Sequence, residues 1–460
     1  MKMSSKEHPL VTKYKNFSPV SENLAAKAKQ VFPGGDTRAS AHYSPYPLSI
    51  SEASGCVLTD VDGNQILDFM NNFTSLIHGH AHPQVVDSVQ KQISLGSAYA
   101  APSKNQIELA QLITERIPSV EQMRFTSSGT ESTTMAIRCS RAATGRQKIM
   151  KMEGGYHGSY EMAEVSLAPF PKKRGDLKEP NSLPVDGSFP DSVLKDTVIC
   201  PYNQPSMAEA LIEKYASELA AIIVEPVLGS MGMVPATKEF LQALRDSATK
   251  YGIVLIFDEV ISLRIDIGGA QSFFDISPDL TCMGKIIGGG LPVGAVGGKG
   301  ELMNLFSPEM PEPIMHASTF SGNALTMSAG LPAMRAFDET ECTRINDLAK
   351  KLRTGFNQAF SQAKILGNAN GIGSLTNINF SNKPLNDSRD FMDSLYASKH
   401  IGNLLHLTML RNGVMSASRL MFCTSTAMSD GDIEKAITAL HESLAEIRPF
   451  VEKECPHLVA

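Results

Sequence analysis

The feature that most constrains this chain is a set of segments that are apolar throughout, alternating with segments of helical period. Ala220-Ala-Ile-Ile-Val224 and Ile253-Val-Leu-Ile-Phe257 contain no polar position. A strand with one wet face alternates apolar and polar residues. A strand without that alternation is buried on both faces, as in a mostly parallel sheet covered by helices on each side. The helices lie between: 207–215 and 238–251 repeat apolar residues at helical spacing. Upstream, Met123-Arg-Phe-Thr126 and Lys148-Ile-Met-Lys-Met152 are predicted strands, and 131–143 a helix ending near Gly145. The fold class that follows is α/β.

At 460 residues the chain is too long for one small core, and two or three domains or subdomains are expected. Residues 1–45 are polar, with one helical patch at 20–31 before Pro33-Gly-Gly35 breaks the chain. Short strands are predicted at Pro47-Leu-Ser-Ile-Ser51, Cys56-Val-Leu-Thr59 and Gln65-Ile-Leu-Asp-Phe69, with a turn at Asp60-Val-Asp-Gly63. From Pro83 the period is helical: Val85, Val86, Val89 and Ile93 share a face, as do Ile107, Leu112, Ile113 and Ile117 behind a Ser103 cap. Residues 159–196 carry five prolines and little periodicity, which makes them either a functional lid or a mobile surface loop. After Asn323 the chain is helical again, with Ile345, Leu348, Leu352, Phe356 and Phe360 on one face. Strands at 375–380 and 420–423 follow. A last helix from Ser429-Asp430 carries Ile433, Ile437, Leu440, Leu444 and Ile447. This tail reads as a smaller α+β domain.

Net charge is −6, so nothing suggests a nucleic-acid partner or an anionic membrane. The cysteines at 56, 139, 200, 282, 342, 423 and 455 are scattered and lack CxxC spacing, which points to a reducing compartment. Met1 to Leu10 contain no apolar run of the secretory kind, and no apolar run approaches the ~18 residues of a membrane span. A cytoplasmic protein is the expectation.

Ligands of parallel sheets sit beyond the carboxyl ends of the strands. Two strands end there in acids, Val224-Glu225-Pro226 and Phe257-Asp258-Glu259. An acid in an apolar setting needs a cation or hydrogen-bond donors, and a helix cap or an ion pair would serve as well as a ligand. Lys285 lies downstream in Thr281-Cys-Met-Gly-Lys-Ile-Ile-Gly-Gly-Gly290. Burial would favour its neutral, nucleophilic amine; on the surface it would be an ordinary solvated lysine. An acid for a cationic ring nitrogen and an amine for a Schiff base are the two protein groups that pyridoxal phosphate (PLP) chemistry uses. The triple glycine at 288–290 is not a P-loop. In Phe125-Thr-Ser-Ser-Gly-Thr-Glu-Ser132, Ser128, Gly129 and Thr130 fall at a helix N-terminus. That position suits a phosphate, or a plain cap. Tyr156, in Gly154-Gly-Tyr-His-Gly158, can lie over an aromatic ring or simply pack. His78, His80 and His82 lack a cysteine or acid at ligand spacing and run into a helix start, so no metal is assigned. Arg38, in Pro33-Gly-Gly-Asp-Thr-Arg38, can clamp a substrate carboxylate; Arg419, in Ser416-Ala-Ser-Arg419, is a weaker candidate of the same kind.

Together these segments resemble the class III (subgroup II) aminotransferases of PLP fold type I. The resemblance runs from about Pro33 to the C-terminus. It is carried by Gly79-His-Ala-His-Pro83, Ser128-Gly-Thr-Glu131, Gly155-Tyr-His-Gly158, Glu225-Pro-Val227, Asp258-Glu-Val260, Gly284-Lys-Ile-Ile-Gly-Gly-Gly-Leu-Pro-Val-Gly294 and Thr319-Phe-Ser-Gly-Asn323. The branch it resembles most holds glutamate-1-semialdehyde aminomutase and aminotransferases, including those acting on β-amino acids. The resemblance implies a large PLP-binding domain at 76–330 with a mostly parallel sheet. A smaller α+β domain would form from 331–460, joined by 1–75. Lys285 would form the Schiff base and shuttle the proton. Asp258 would pair with the pyridinium nitrogen, and Ser128, Gly129 and Thr130 would hold the phosphate. Tyr156 and Val260 would pack on the two ring faces, and Glu225 would support the cofactor. Thr319 would reach the phosphate of a neighbouring subunit, making the unit a homodimer with shared active sites. The implied activity moves an amino group from an amino acid, β-amino acids among the candidates, to a keto acid. The alternative is an isomerase, either a glutamate-1-semialdehyde 2,1-aminomutase or a racemase. Arg38 follows Gly35 after only Asp36 and Thr37, as in the β-amino-acid branch. Ser262-Leu-Arg264 stands where the family has Gly-Phe-Arg, apparently one residue shorter. Residues 159–196 overlap the aminomutase's gating loop.

Overall fold

The computed structural model describes residues 8–460; Met1 to Glu7, most of the stretch weighed above as a possible leader, lie outside the described residues. Among these, a seven-stranded sheet runs in the order Gln122–Thr126, Gly294–Gly298, Leu280–Gly284, Val254–Asp258, Leu219–Val224, Lys148–Met152, Thr197–Cys200. Neighbours from Leu280–Gly284 to Thr197–Cys200 are parallel. Gly294–Gly298 alone is antiparallel to both of its neighbours. The strands at the centre are buried at every position, as their unbroken apolar sequence requires.

Gly294–Gly298 escapes a propensity reading because its sequence is GAVGG. Its glycines serve close approach: a Cβ on Gly294 would stand 2.0 Å from the Ser128 carbonyl oxygen. Thr197–Cys200 has the β-branched residues of a strand but is only four residues long and follows directly on the proline-rich stretch.

The helix Gly129–Thr144 starts at a Ser128 side chain that accepts from Glu131 N, and ends at Gly145 in the left-handed region. Lys238–Tyr251 is likewise capped by Thr237 and stopped by Gly252. Gly129–Thr144 packs on one face of the sheet and Lys238–Tyr251 on the other, and Ala324–Ala336 packs against Pro83–Ile93 and Lys104–Arg116.

The two ends of the chain meet. Ile50–Ser54, Val57–Asp60 and Gln65–Asp68 form an antiparallel meander, and Val414–Met415 adds to it parallel to Gln65–Asp68. Asn368–Asn370, Leu375–Asn379 and Met421–Cys423 form a second small sheet, beneath the long helices Glu339–Ala363 and Asp430–Glu454. The expected patch at 20–31 is the helix Pro19–Ala28. A further helix, Pro9–Phe17, docks on Ile401–Arg411 through buried Leu10 and Tyr14. Its apolar residues Leu10, Val11, Tyr14 and Phe17 do repeat at helical spacing, but over only two turns.

The stretch 159–196 is more ordered than its composition suggests. It contains short helices at Glu161–Glu164 and Asp191–Lys195. Side chains from elsewhere satisfy its backbone. Arg389 pairs with Glu153 and donates to the carbonyls of Arg174, Gly175 and Asp176, while Arg174 pairs with Asp393. All seven cysteines are free and buried. No helix among the described residues is long and apolar enough to cross a membrane.

Candidate active site

A cleft of about 360 Å³ opens at the carboxyl ends of the parallel strands. It brings together Arg38, Ser128, Gly129, Thr130, Tyr156, Glu225, Asp258, Val260 and Lys285, residues spread over nearly 250 positions.

Asp258 is the last residue of its strand and is buried. Its Oδ1 accepts from Val260 N at 3.1 Å, and its Oδ2 meets His157 Nδ1 at 2.9 Å. Complete burial pushes the His157 imidazole below its usual pKa. A neutral ring must therefore carry its proton on Nδ1 to donate here, and its buried Nε2 has no partner. His157 thus orients the Asp258 carboxylate from behind. The sequence reading takes Tyr156 from the same motif and misses His157. The available signal was a histidine just past a strand end of the sheet that carries Asp258.

Glu225 is buried, with Oε2 accepting from Tyr156 N at 2.8 Å and Oε1 from Gly229 N at 3.2 Å. Burial, and then the nearby Asp258 charge, push it above the usual carboxylate range. Lys285 follows the strand Leu280–Gly284 in the left-handed region, at φ 48°. Such a backbone costs a side-chain-bearing residue roughly 1–2 kcal/mol. Burial lowers its ammonium pKa, with Asp258 and Glu225 pulling the other way. No hydrogen-bond partner for Lys285 Nζ occurs among the described residues. The amine is held toward its nucleophilic form and aimed into the cleft.

Ser128, Gly129 and Thr130 open a sixteen-residue helix, whose first N–H groups and dipole favour an anion. The packing there is tight. A Cβ on Gly129 would stand 3.1 Å from Val260, and one on Gly158, at φ +112°, only 2.7 Å from Thr130. Backbone can therefore approach a bound phosphate where a side chain could not. An anion cradle, an amine and a carboxylate backed by a donor, all in one cleft, fit PLP.

Asn72 and Phe73 also line the cleft and were not anticipated. Arg38 Nη1 donates to Asn72 Oδ1 at 3.1 Å. Arg419 does not line the cleft: it is exposed, with Nη1 donating to Ser230 O at 3.2 Å. Thr319 is also exposed and outside the cleft. Two of the three clustered histidines are engaged in the fold. His80 Nε2 pairs with Asp68 at 2.7 Å, and His78 bridges Thr426 and the Ala333 carbonyl. The grouping with metal-ligand proximity among the described residues is His8, His400 and Glu454, far from the cleft. His8 Nδ1 accepts from Leu10 N, so Nε2 bears the proton and has no lone pair for a metal.

This sheet, with this amine and acid at its carboxyl edge, defines a PLP-dependent enzyme of fold type I. Residues 39–444 match the model of the class III aminotransferases, and the chain belongs to that family. The match begins one residue after Arg38. A glutamate-1-semialdehyde 2,1-aminomutase of Desulfotalea psychrophila is 36% identical over 435 residues, covering 93% of this chain and 98% of the relative. Among solved structures, an omega-transaminase from Sphaerobacter thermophilus is 43% identical with a TM-score of 0.90, covering 93% of this chain and 98% of that one. A beta-phenylalanine aminotransferase from Variovorax paradoxus is 31% identical with a TM-score of 0.85, covering 95% and 96%. The cofactor is pyridoxal phosphate.

Proposed function

We propose that the enzyme is an intermolecular aminotransferase that takes the amino group from an amino acid, with β-amino acids as the leading class, and delivers it to a keto acid. The observation that carries this reading is Arg38 in the cleft, where a carboxylate can be clamped beside the amine of Lys285. The resemblance of the chain to an omega-transaminase and to a beta-phenylalanine aminotransferase supports it.

Bound PLP supplies an aldehyde and an electron-accepting ring. In this reading the chain's own residues do the rest. Ser128, Gly129 and Thr130 hold the phosphate. Asp258, oriented by His157, keeps the ring nitrogen protonated. Glu225 steadies the Tyr156 backbone, and Tyr156 and Val260 confine the ring. Lys285 would take the proton from the amine-bearing carbon and return it on the other side of the C–N bond. Arg38 sets which carbon is presented.

A second copy of the chain is expected to complete the site. Leu95, Met315 and Phe320 are 74%, 68% and 59% exposed. The segments of Leu95 and Phe320 are tied together by Leu325 N donating to Ser97 O at 3.0 Å. Thr319 stands beside Phe320 in the chain and is exposed, so it is free to reach a partner's phosphate.

The alternative is an aminomutase acting within one molecule, and the names of the 36%-identical relatives favour keeping it. One experiment separates them. The purified enzyme is mixed with β-amino acids and the cofactor's visible absorbance is followed together with keto-acid release. Loss of the absorbance with stoichiometric keto acid is expected. Turnover of glutamate-1-semialdehyde without any acceptor, and no keto acid from any donor, would establish the isomerase instead.

A further inference from the structure

One wall of the cleft has a backbone that chain chemistry disfavours. Asn71, Asn72, Phe73 and Thr74 have φ of 48°, 46°, 55° and 73°. None is glycine, and each Cβ in the left-handed region crowds the following carbonyl oxygen. Such a run persists only where its surroundings over-determine it, and such places cluster at functional sites. The anchors are visible here. Asp68 Oδ1 accepts from Met70 N and Asn71 N, both at 2.9 Å. Asn71 Nδ2 donates to Cys423 O at 3.0 Å, and Arg264 Nη1 to Thr74 O at 3.1 Å. Both ends of the turn are gripped by buried groups, while Asn72 and Phe73 in its middle face the cleft.

Exposed Asn72 and half-buried Phe73 converge on one cation. Ser75 Oγ donates to Asn72 O at 2.9 Å and accepts from Asn72 Nδ2 at 3.2 Å. That fixes the amide with its oxygen toward Arg38, whose Nη1 donates to it at 3.1 Å. The Arg38 Cζ lies 5.8 Å from the Phe73 ring centroid, within cation–π range. No carboxylate among the described residues pairs with this guanidinium. A neutral amide oxygen and a ring face orient the cation without cancelling its charge. A guanidinium has five N–H donors, so most remain for a ligand.

We propose that Asn72 and Phe73, presented by the left-handed turn, are positioning residues that hold the Arg38 guanidinium in its carboxylate-binding orientation and so set the preference for acidic over carboxylate-free substrates. This rests on the reading of Arg38 as the substrate carboxylate site.

The test uses the PLP-loaded enzyme and two unreactive ligands, 3-phenylpropanoate and its uncharged amide, with binding measured by calorimetry. Asn72→Ala should weaken the acid relative to the amide about fivefold, the loss expected for one typical hydrogen bond. Asn72→Asp should weaken it about tenfold or more, because a carboxylate there neutralises the guanidinium. In an Arg38→Ala background, Asn72→Ala should leave the remaining acid-to-amide ratio where it was. Should Asn72→Ala fail to fold, Asn72→Gly, which tolerates this φ, carries the same prediction. An unaltered ratio in Asn72→Ala, or an equal loss in the Arg38→Ala background, overturns the positioning role and leaves Arg38 standing. An unaltered ratio in Arg38→Ala alone overturns the carboxylate reading, and the inference with it.

Discussion

Lys151 is the second buried lysine near the cleft, and no catalytic step requires it. It is 1% exposed, and its Nζ donates to the Val165 carbonyl at 2.6 Å. Burial lowers its pKa to about 7, with Glu225, Glu153 and Glu164 pulling upward. The unfolded chain would hold this proton up to about 10.4. Between pH 7 and that value the unfolded state therefore binds more protons, and stability rises with pH. A shift of this size corresponds to roughly 5 kcal/mol across the window. Thermal unfolding of wild type and Lys151→Met should diverge accordingly. The wild type gains stability relative to the variant as pH climbs from 7, and parallel pH profiles would contradict the assignment. Single residues differ in how readable they are. Asp258 and Lys285 announce themselves, because an acid and an amine interrupt apolar runs at a strand end. Asn72 does not. Its left-handed backbone is imposed by Arg264 and Cys423, far along the chain, and no local pattern encodes that.

At the scale of elements, the helix Gly129–Thr144 combines two tasks that can be separated. Ser128 caps it, and its first turn faces the cleft. Asp338 caps the helix Glu339–Ala363 in the same way, through Glu341 N, but does not line the cleft. Ser128→Ala and Asp338→Ala should each cost about 1 kcal/mol of stability in denaturant unfolding. Only Ser128→Ala should also weaken PLP, by about tenfold in a titration of apoenzyme followed by absorbance. Equal PLP affinity in both variants would reduce Ser128 to a plain cap. Elements with period and caps, such as 131–143 and 238–251, were legible to within a few residues. Those without were not: Gly294–Gly298 trades β-propensity for close approach. Ser388–Ser398 and Ile401–Arg411 follow one another with no breaker that a pattern reading would notice.

Across the whole molecule, Arg264 joins parts that are remote in sequence. It is fully buried, and its guanidinium donates to Ser374 Oγ and to the carbonyls of Thr74 and Thr424. Replacing it by Met would leave these acceptors unmet, so Arg264→Met should lose about 3 kcal/mol in urea unfolding. It should also lower the acid-to-amide binding ratio, since the turn carrying Asn72 loses its grip. A destabilised variant with that ratio intact would show that Arg264 only ties the chain together. The α/β class and the large sheet followed from burial patterns. The union of the two chain ends came only with the family resemblance, because strands of two to five residues carry too little pattern to reveal a partner nearly 350 positions away.

That union has a consequence for synthesis. Val414–Met415 is the parallel neighbour of Gln65–Asp68, and Cys423 grips Asn71 just beyond it. On the ribosome, Lys285 and the helix start at Ser128 emerge long before this strand does. The nascent chain can have every strand of its large sheet outside the ribosome and still lack the groups that brace the turn beside Arg38, so on the proposed reading carboxylate selectivity waits on a distant, later-made part of the chain.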